Sequence, residues 1–394
     1  MLQIPEGYKF AALEAGFKYS GRNDLALILS EVPAVAAAVF TKNKFQAAPV
    51  TVGKEILAES QIVRGAIVNA GLANACTGAE GIEDCRESLI LAAKYLGLNS
   101  RDLLPSSTGV IGPRFNMEKW REVAPKLKPA LSDSDPVKAA KAIMTTDKFP
   151  KIAWGEIECN GKPVRMLGMC KGAGMISPNM ATMLGYVTCD AEVDPKWWQE
   201  TLRRCIDKSF NCITVDGDTS TNDTVMAFAN GASGVKADSA ETKDAIEALL
   251  LDICQQLSYM IVQDAEGGTK VMHIKVSGAA SDEDAELMVR AVGNSPLVKT
   301  ALFGEDPNWG RIVAAAGRSG AEFDPEQLTL SFGKIIVFEK GKPVEGDMDA
   351  LLEPIMRKQD VEVNITLGDG EGTSMMQASD LTKEYISINA DYRS

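Results

Sequence analysis

Apolar positions in the first part of this chain run together or alternate as strands do. Leu25 to Leu29 and Val35 to Phe40 are aliphatic or alanine-rich runs, and Gly65-Ala66-Ile67-Val68-Asn69-Ala70 is a short buried strand entering a Gly/Asn turn. The period then changes to that of a helix. Leu89, Ile90, Ala93 and Leu96 share a face of Arg86 to Leu96, and Asp135-Pro136 opens a second helix at Val137 to Met144 with proline in its first turn. Further on, Asp194-Pro195 starts a helix that lines up Trp198, Leu202, Cys205 and Ile206. Asp238 and Glu241 have the spacing of a capping box for a long helix through Ile246, Leu249, Leu250, Ile253 and Leu257, and Ser281 with Asp284 begins another. Strand alternation returns between and after these helices. Met272, Ile274 and Val276 oppose His273 and Lys275; Val361, Val363, Ile365 and Leu367 oppose Glu362, Asn364 and Thr366; and Tyr385 to Ile388 reads as a last strand. The pattern predicts an α+β protein of mixed sheets layered with helices, without internal repeats or a flexible linker.

Composition narrows the classes. A chain of 394 residues with 45% hydrophobic content buries more than one core if it divides. The formal charge of −13 opposes binding to phosphate backbones, so no nucleic-acid partner is expected. No run approaches the roughly 18 uncharged apolar residues of a spanning helix, and Met1-Leu2-Gln3-Ile4-Pro5-Glu6 lacks the pattern of a secretion signal, so a cytoplasmic protein without membrane contact is expected. The eight cysteines form no Cys-x-x-Cys pair and read as reduced, small core residues.

Histidine, the usual base near neutral pH, occurs once, at His273, on the polar face of a strand. Ser-His-Asp and Cys-His chemistry are therefore disfavoured, and a base must come from elsewhere. Lys171-Gly-Ala-Gly-Met-Ile-Ser-Pro-Asn-Met-Ala-Thr-Met-Leu184 offers one. If the Ala181–Thr182 bond is cut, Thr182 carries both a hydroxyl nucleophile and a free α-amine, which titrates at about 7.7–8.0 and so serves as base. The plainer alternative is a Gly-rich turn with Thr182 capping a helix. Ser106-Ser-Thr-Gly-Val-Ile-Gly112 reads as a turn whose amides and hydroxyls fit an oxyanion hole or simply reverse the chain. The glycines after Lys171 lack the order of a P-loop, and no strong strand is evident before them. Asp216 to Asp223 clusters oxygen ligands, but Ala227 stands where a calcium loop needs Glu, so a hydrogen-bonded turn is expected. Asp264-Ala-Glu-Gly-Gly-Thr-Lys270 reads by itself as a solvated turn.

Together and in this order, these pieces resemble the ornithine acetyltransferase family, also called glutamate N-acetyltransferases or bifunctional arginine-biosynthesis acetyltransferases. The resemblance rests on Gly21-Arg-Asn-Asp-Leu-Ala-Leu-Ile28, Phe40-Thr-x-Asn43-x-Phe45-x-Ala47-Ala-Pro-Val50, Asn69-Ala-Gly-x-Ala73-Asn-Ala-Cys-Thr-Gly78 and the Lys171 to Leu184 block, and it spans nearly the whole chain. It implies a fold similar to N-terminal-nucleophile hydrolases but with its own topology. It also implies scission into an alpha fragment, 1–181, and a beta fragment, 182–394, that stay together, two of each. Carried over by position, Thr182 is the nucleophile and Thr108 and Gly109 form the oxyanion hole. Thr145, Lys171, Thr182, Glu266, Asn389 and Ser394 contact substrate. The implied reaction passes an acetyl group from N-acetylornithine to glutamate through acetyl-Thr182, with neither metal nor cofactor. Lys171 would supply positive charge beside the oxyanion or a substrate carboxylate, and Glu266 would hold a substrate ammonium or adjust the amine. Whether acetyl-CoA is a second donor stays open. A self-cleaving amidase or aminopeptidase using the same threonine is the rival reading, and an uncut nucleotide-binding regulator is a more distant one.

Overall fold

The structure is a computed structural model that describes residues 2–177 and 183–391. They form two compact units. One holds the chain up to Asn211 together with Asp218–Ile261, and the other holds Cys212–Gly217 and the chain from Val262 onward.

The strands in chain order are β1 Tyr8–Leu13, β2 Leu25–Phe40, β3 Ile62–Leu72, β4 Leu103–Val110, β5 Lys151–Cys159, β6 Lys162–Lys171, β7 Leu184–Cys189, β8 Ile213–Thr214, β9 Thr224–Ala229, β10 Val271–Ala279, β11 Thr329–Phe332, β12 Ile335–Glu339, β13 Lys342–Pro343, β14 Asp360–Thr366 and β15 Gly372–Ser379. The first unit is built on a sheet in the order β4-β3-β2-β9-β7-β6-β5, with β1 also paired to β2. The two runs expected at Leu25 and Val35 are one continuous strand. Its register against β3 shifts between Leu29 and Ala34, where Glu31, Val32 and Pro33 are exposed, so proline sits where the ladder lapses and its missing N–H costs nothing.

Helices cover both faces of this sheet. Leu167 and Met169 enter a core shared with Leu89 and Ala92 of the helix Gly78–Leu96 and with Trp120 and Ala139. Gly168, between them, faces the helix Ala240–Gln263, where a Cβ would stand 2.7 Å from Ile253 and 2.8 Å from Leu257. That helix is capped by Ser239, whose hydroxyl accepts from the Thr242 amide, rather than by Asp238. By length and composition it is apolar enough to cross a membrane, which corrects the expectation that no such stretch exists. Glu247 and Asp252 interrupt its apolar run and hide its length from a count of uncharged residues. Ile246, Leu250, Ile253, Leu257 and Ile261 are buried in the protein's own interior, so it is a core helix.

The second unit contains a sheet in the order β13-β12-β11-β14-β10-β15-β8. The alternation of β10 and β14 is as expected: Met272, Ile274, Val276, Val361, Val363 and Ile365 join one core, against which the helix Asp282–Gly293 packs Met288 and Val292. His273 lies on the wetter face, with its Nε2 2.7 Å from Asp360 Oδ1. The segment Tyr385 to Ile388 is not a strand. It belongs to a helix, Lys383–Asp391, started by the Thr382 hydroxyl accepting from the Tyr385 amide.

Candidate functional site

In the first unit, the parallel strands β3 and β4 reach their ends together, pairing Ala70 with Thr108 and Gly71 with Gly109. Gly109 has φ +130°, and a Cβ there would lie 2.2 Å from the Gly71 carbonyl carbon, so only glycine fits. Thr108 and Gly109 are therefore held on a strand end and not in the turn that the sequence suggested. Ser107 points the other way. Its hydroxyl donates to Asn69 Oδ1 at 2.6 Å, while Asn222 Nδ2 donates to the Ser107 and Ala73 carbonyls at 2.9 and 2.6 Å. Asn222 is fixed in turn by the Thr221 hydroxyl, which donates to its Oδ1, and the Thr41 amide donates to the neighbouring Asp223 carbonyl. Two of the sequence signatures thus act as braces for one strand end.

Lys171 ends β6, a full strand paired on both sides, which corrects the reading that none precedes the glycines. Its Nζ donates to Thr108 Oγ1 at 3.1 Å. Just past it, the Gly172 amide donates to Asp147 Oδ1 at 2.7 Å, and the same oxygen accepts from Lys151 Nζ at 2.7 Å. Asp147 Oδ2 accepts from the Thr145 amide at 3.0 Å. The side chains of Asp147 and Lys151 are fully buried. Burial pushes the Asp147 carboxyl up, but the charges of Lys171 and Lys151 with the two bonds to Oδ1 outweigh it and hold the group at about 2. Thr108, Gly109, Thr145 and Lys171 are thus brought into one neighbourhood. Asp147 and Lys151 went unread in the sequence, and their only signal there is an opposite-charge pair four residues apart.

In the second unit, the Asp264 to Lys270 segment is largely buried, and the expected solvated turn is corrected. Asp380 accepts from the Thr269 amide and hydroxyl at 2.9 and 2.6 Å, and Lys270 Nζ donates to the Met356 carbonyl at 2.7 Å. Gly267 has φ +67° and lies so close to the C-terminal helix that a Cβ would meet the Tyr385 nitrogen at 2.5 Å. From that helix, Asn389 Nδ2 donates to Glu266 Oε2 at 2.9 Å. Tyr385 donates its hydroxyl to Asp216 Oδ2 at 3.3 Å. Lys299 is buried close by. It donates to the Ser379 carbonyl and hydroxyl, and burial pushes its ammonium down to about 8 against the opposing pull of Asp380 and Asp216.

Ala181, Thr182 and Ser394 lie outside the described residues. Among the described residues, no group of three or more His, Cys, Asp or Glu is gathered as a metal site.

The class these features define is an α+β protein whose first sheet brings a strand-end threonine and glycine to a lysine that is followed directly by a backbone amide held on a buried carboxylate. A model of the ArgJ family matches residues 9–394, and the chain belongs to that family. The arginine biosynthesis bifunctional protein ArgJ of Nitratidesulfovibrio vulgaris is 52% identical over 394 residues, all of both chains. Its namesake in Geobacter sulfurreducens is 46% identical over 98% of this chain and 99% of its own. The crystal structure of arginine biosynthesis bifunctional protein argJ from Bacillus halodurans is similar with a TM-score of 0.50 at 35% identity, covering 54% of this chain and all of that one.

Proposed function

We propose that this chain, an acyltransferase of arginine biosynthesis by its family, cuts its own Ala181–Thr182 bond and moves an acetyl group from N-acetylornithine to glutamate through acetyl-Thr182. The observation that carries the reading is the bond from Lys171 to Thr108 beside the left-handed Gly109. Lys171 is the register partner of Leu184, so the chain leaves and re-enters the sheet beside this polar group on either side of the proposed cut. In the first step the Thr182 hydroxyl attacks the acetyl carbonyl while the threonine's α-amine takes its proton, and that proton leaves with the ornithine amine. Thr108 and Gly109 receive the developing oxyanion, with Lys171 adding positive charge. Glutamate then attacks the ester with its own amine, releasing Thr182 and forming N-acetylglutamate.

Thr145 from the first unit, and Glu266, Asn389 and Ser394 from the C-terminal part, bind the amino-acid portions of the substrates. Glu266 suits a substrate ammonium, since its carboxylate is fixed by Asn389 and buried. Scission would leave fragments 1–181 and 182–394 sharing one sheet, because β6 pairs with β7 and β2 with β9, and this supports fragments that remain together; two of each is what the family resemblance implies. A cytoplasmic location completes the reading, and whether acetyl-CoA is a second donor is left to the assay below.

Purified protein run on a denaturing gel tests the first part, two bands being expected, with the larger starting at Thr182. A single intact band, or a different first residue, would overturn it. Assay with N-acetylornithine plus glutamate, beside acetyl-CoA plus glutamate, separates one donor from two. Release of free acetate in place of N-acetylglutamate would instead favour the amidase.

A further inference from the structure

Asp147 lies where the stretch 145–151 meets the end of β6 in the first unit. One oxygen takes the Thr145 amide, and the other takes both the Gly172 amide and the Lys151 ammonium. Thr145 and Lys171 are distant in sequence, yet each sits on or next to a backbone amide held by this one carboxylate. We infer that Asp147 is a positioning residue for acetyl transfer: it sets the backbone at Thr145 and at Lys171–Gly172 together, and Lys151 is its counter-charge.

The charge arrangement gives Lys151 a reason to exist. A carboxylate buried beside Lys171 alone would draw that ammonium onto itself. Lys151 answers Asp147 directly, at 2.7 Å and with both side chains fully buried, while the Phe149 ring lies 5.0 Å from its Nζ. Lys171 donates instead to Thr108 and keeps its charge for the anion that forms there. Two lysines around one carboxylate therefore leave one positive charge, and it is aimed at the proposed oxyanion site. An asparagine at position 147 has the right size but turns one of its two polar atoms into a donor facing another donor.

The inference rests on the proposed role of Lys171, so the test is a cycle of four proteins: the natural chain, K171M, D147N/K151M and the triple variant. Removing both members of the buried pair avoids leaving Lys151 charged and unpaired. K171M is expected to lower kcat/KM for acetyl transfer by about 10- to 100-fold, the range for losing a charged hydrogen bond. D147N/K151M should melt as one cooperative transition yet lose about tenfold. If Asp147 acts through Lys171 and Thr145, adding K171M to that background should cost less than about threefold more, since residues acting as a unit are non-additive. Multiplying losses in the triple variant, with K171M itself damaged, would overturn the inference alone. A fully active K171M would overturn it together with the proposed role of Lys171. If neither D147N nor D147N/K151M folds, the carboxylate serves the fold and not the site, and the inference falls.

Discussion

The two units fix their polar residues by different means. In the first, Thr108, Gly109 and Lys171 stand at strand ends whose positions follow from register, and a single carboxylate ties the flanking amides. In the second, Glu266 sits on a turn and is held by a helix of nine residues that itself rests on Thr382 and Tyr385. Sheet registers resist small shifts because every neighbouring ladder must move with them, whereas a docked terminal helix depends on a few contacts. The sheet end suits bond-making, which needs donors set in advance. The turn and helix suit holding and releasing one amino acid and then another.

The largest expected effects fall on the chemistry assigned to the first region. Thr182→Ala should leave one uncut chain without acetyl transfer, and Thr182→Ser should cut slowly. Transfer by an uncut T182A protein, followed by chromatography of N-acetylglutamate, would end the division of labour between the two regions. Thr108→Ala comes next. Loss of one oxyanion donor costs about 10²–10³ in turnover, so kcat should fall by that factor while N-acetylornithine binding changes little. A rise in KM at constant kcat would make Thr108 a binding residue like those of the second unit.

Asn389→Ala sharpens the other side. It removes one hydrogen bond to a buried carboxylate, for which a loss of about 10-fold is expected. The loss should appear mainly in KM, because Glu266 is assigned to holding an ammonium and not to the reacting carbonyl. Steady-state kinetics with glutamate varied at fixed N-acetylornithine would show it. A pure loss of kcat would place Glu266 nearer the chemistry than the comparison allows.

The same contrast explains what the sequence disclosed. Core faces were legible where periodicity is local: Trp198, Leu202, Cys205 and Ile206 are all buried on one helix, and β10 and β14 alternate as read. Motifs located Thr108, Gly109 and Lys171, but β4 and β6 are not neighbours in the sheet, and only the bond from Lys171 to Thr108 in the folded chain shows that they meet. Asp147 was hidden because its link to the Lys171 strand is made by the Gly172 amide, 25 residues on, and a charge pair four residues apart does not mark it in a linear reading. The helix at Tyr385 was missed because four residues alternate as readily by chance as by design. What decides their state is Thr382 and the close approach to Gly267, more than a hundred positions earlier. Local patterns reveal what packs locally, and docked termini and shared carboxylates are long-range facts.

The smallest effect concerns the buried charges themselves: folding favours the charged form in the first unit and disfavours it in the second, and in both windows stability rises with pH. Asp147 is held at about 2, below its unfolded value of about 3.9, so its contribution is complete above that value and is lost as pH falls from 4 towards 2. Lys299 is pushed down to about 8 from about 10.4 when unfolded. Its burial cost is fully present below pH 8 and fades as pH rises towards 10.4, because the unfolded chain binds the extra proton across that window. K299M removes this dependence together with the bonds to Ser379. The melting temperature of the natural protein relative to K299M should therefore climb by a few degrees between pH 7.5 and 10, while the two should lose stability in parallel below pH 4, where the first unit's Asp147 is common to both. A gap that stays constant from pH 7.5 to 10 would mean that folding does not disfavour the charged Lys299, and the contrast between the paired Asp147 and a costly buried lysine would be gone.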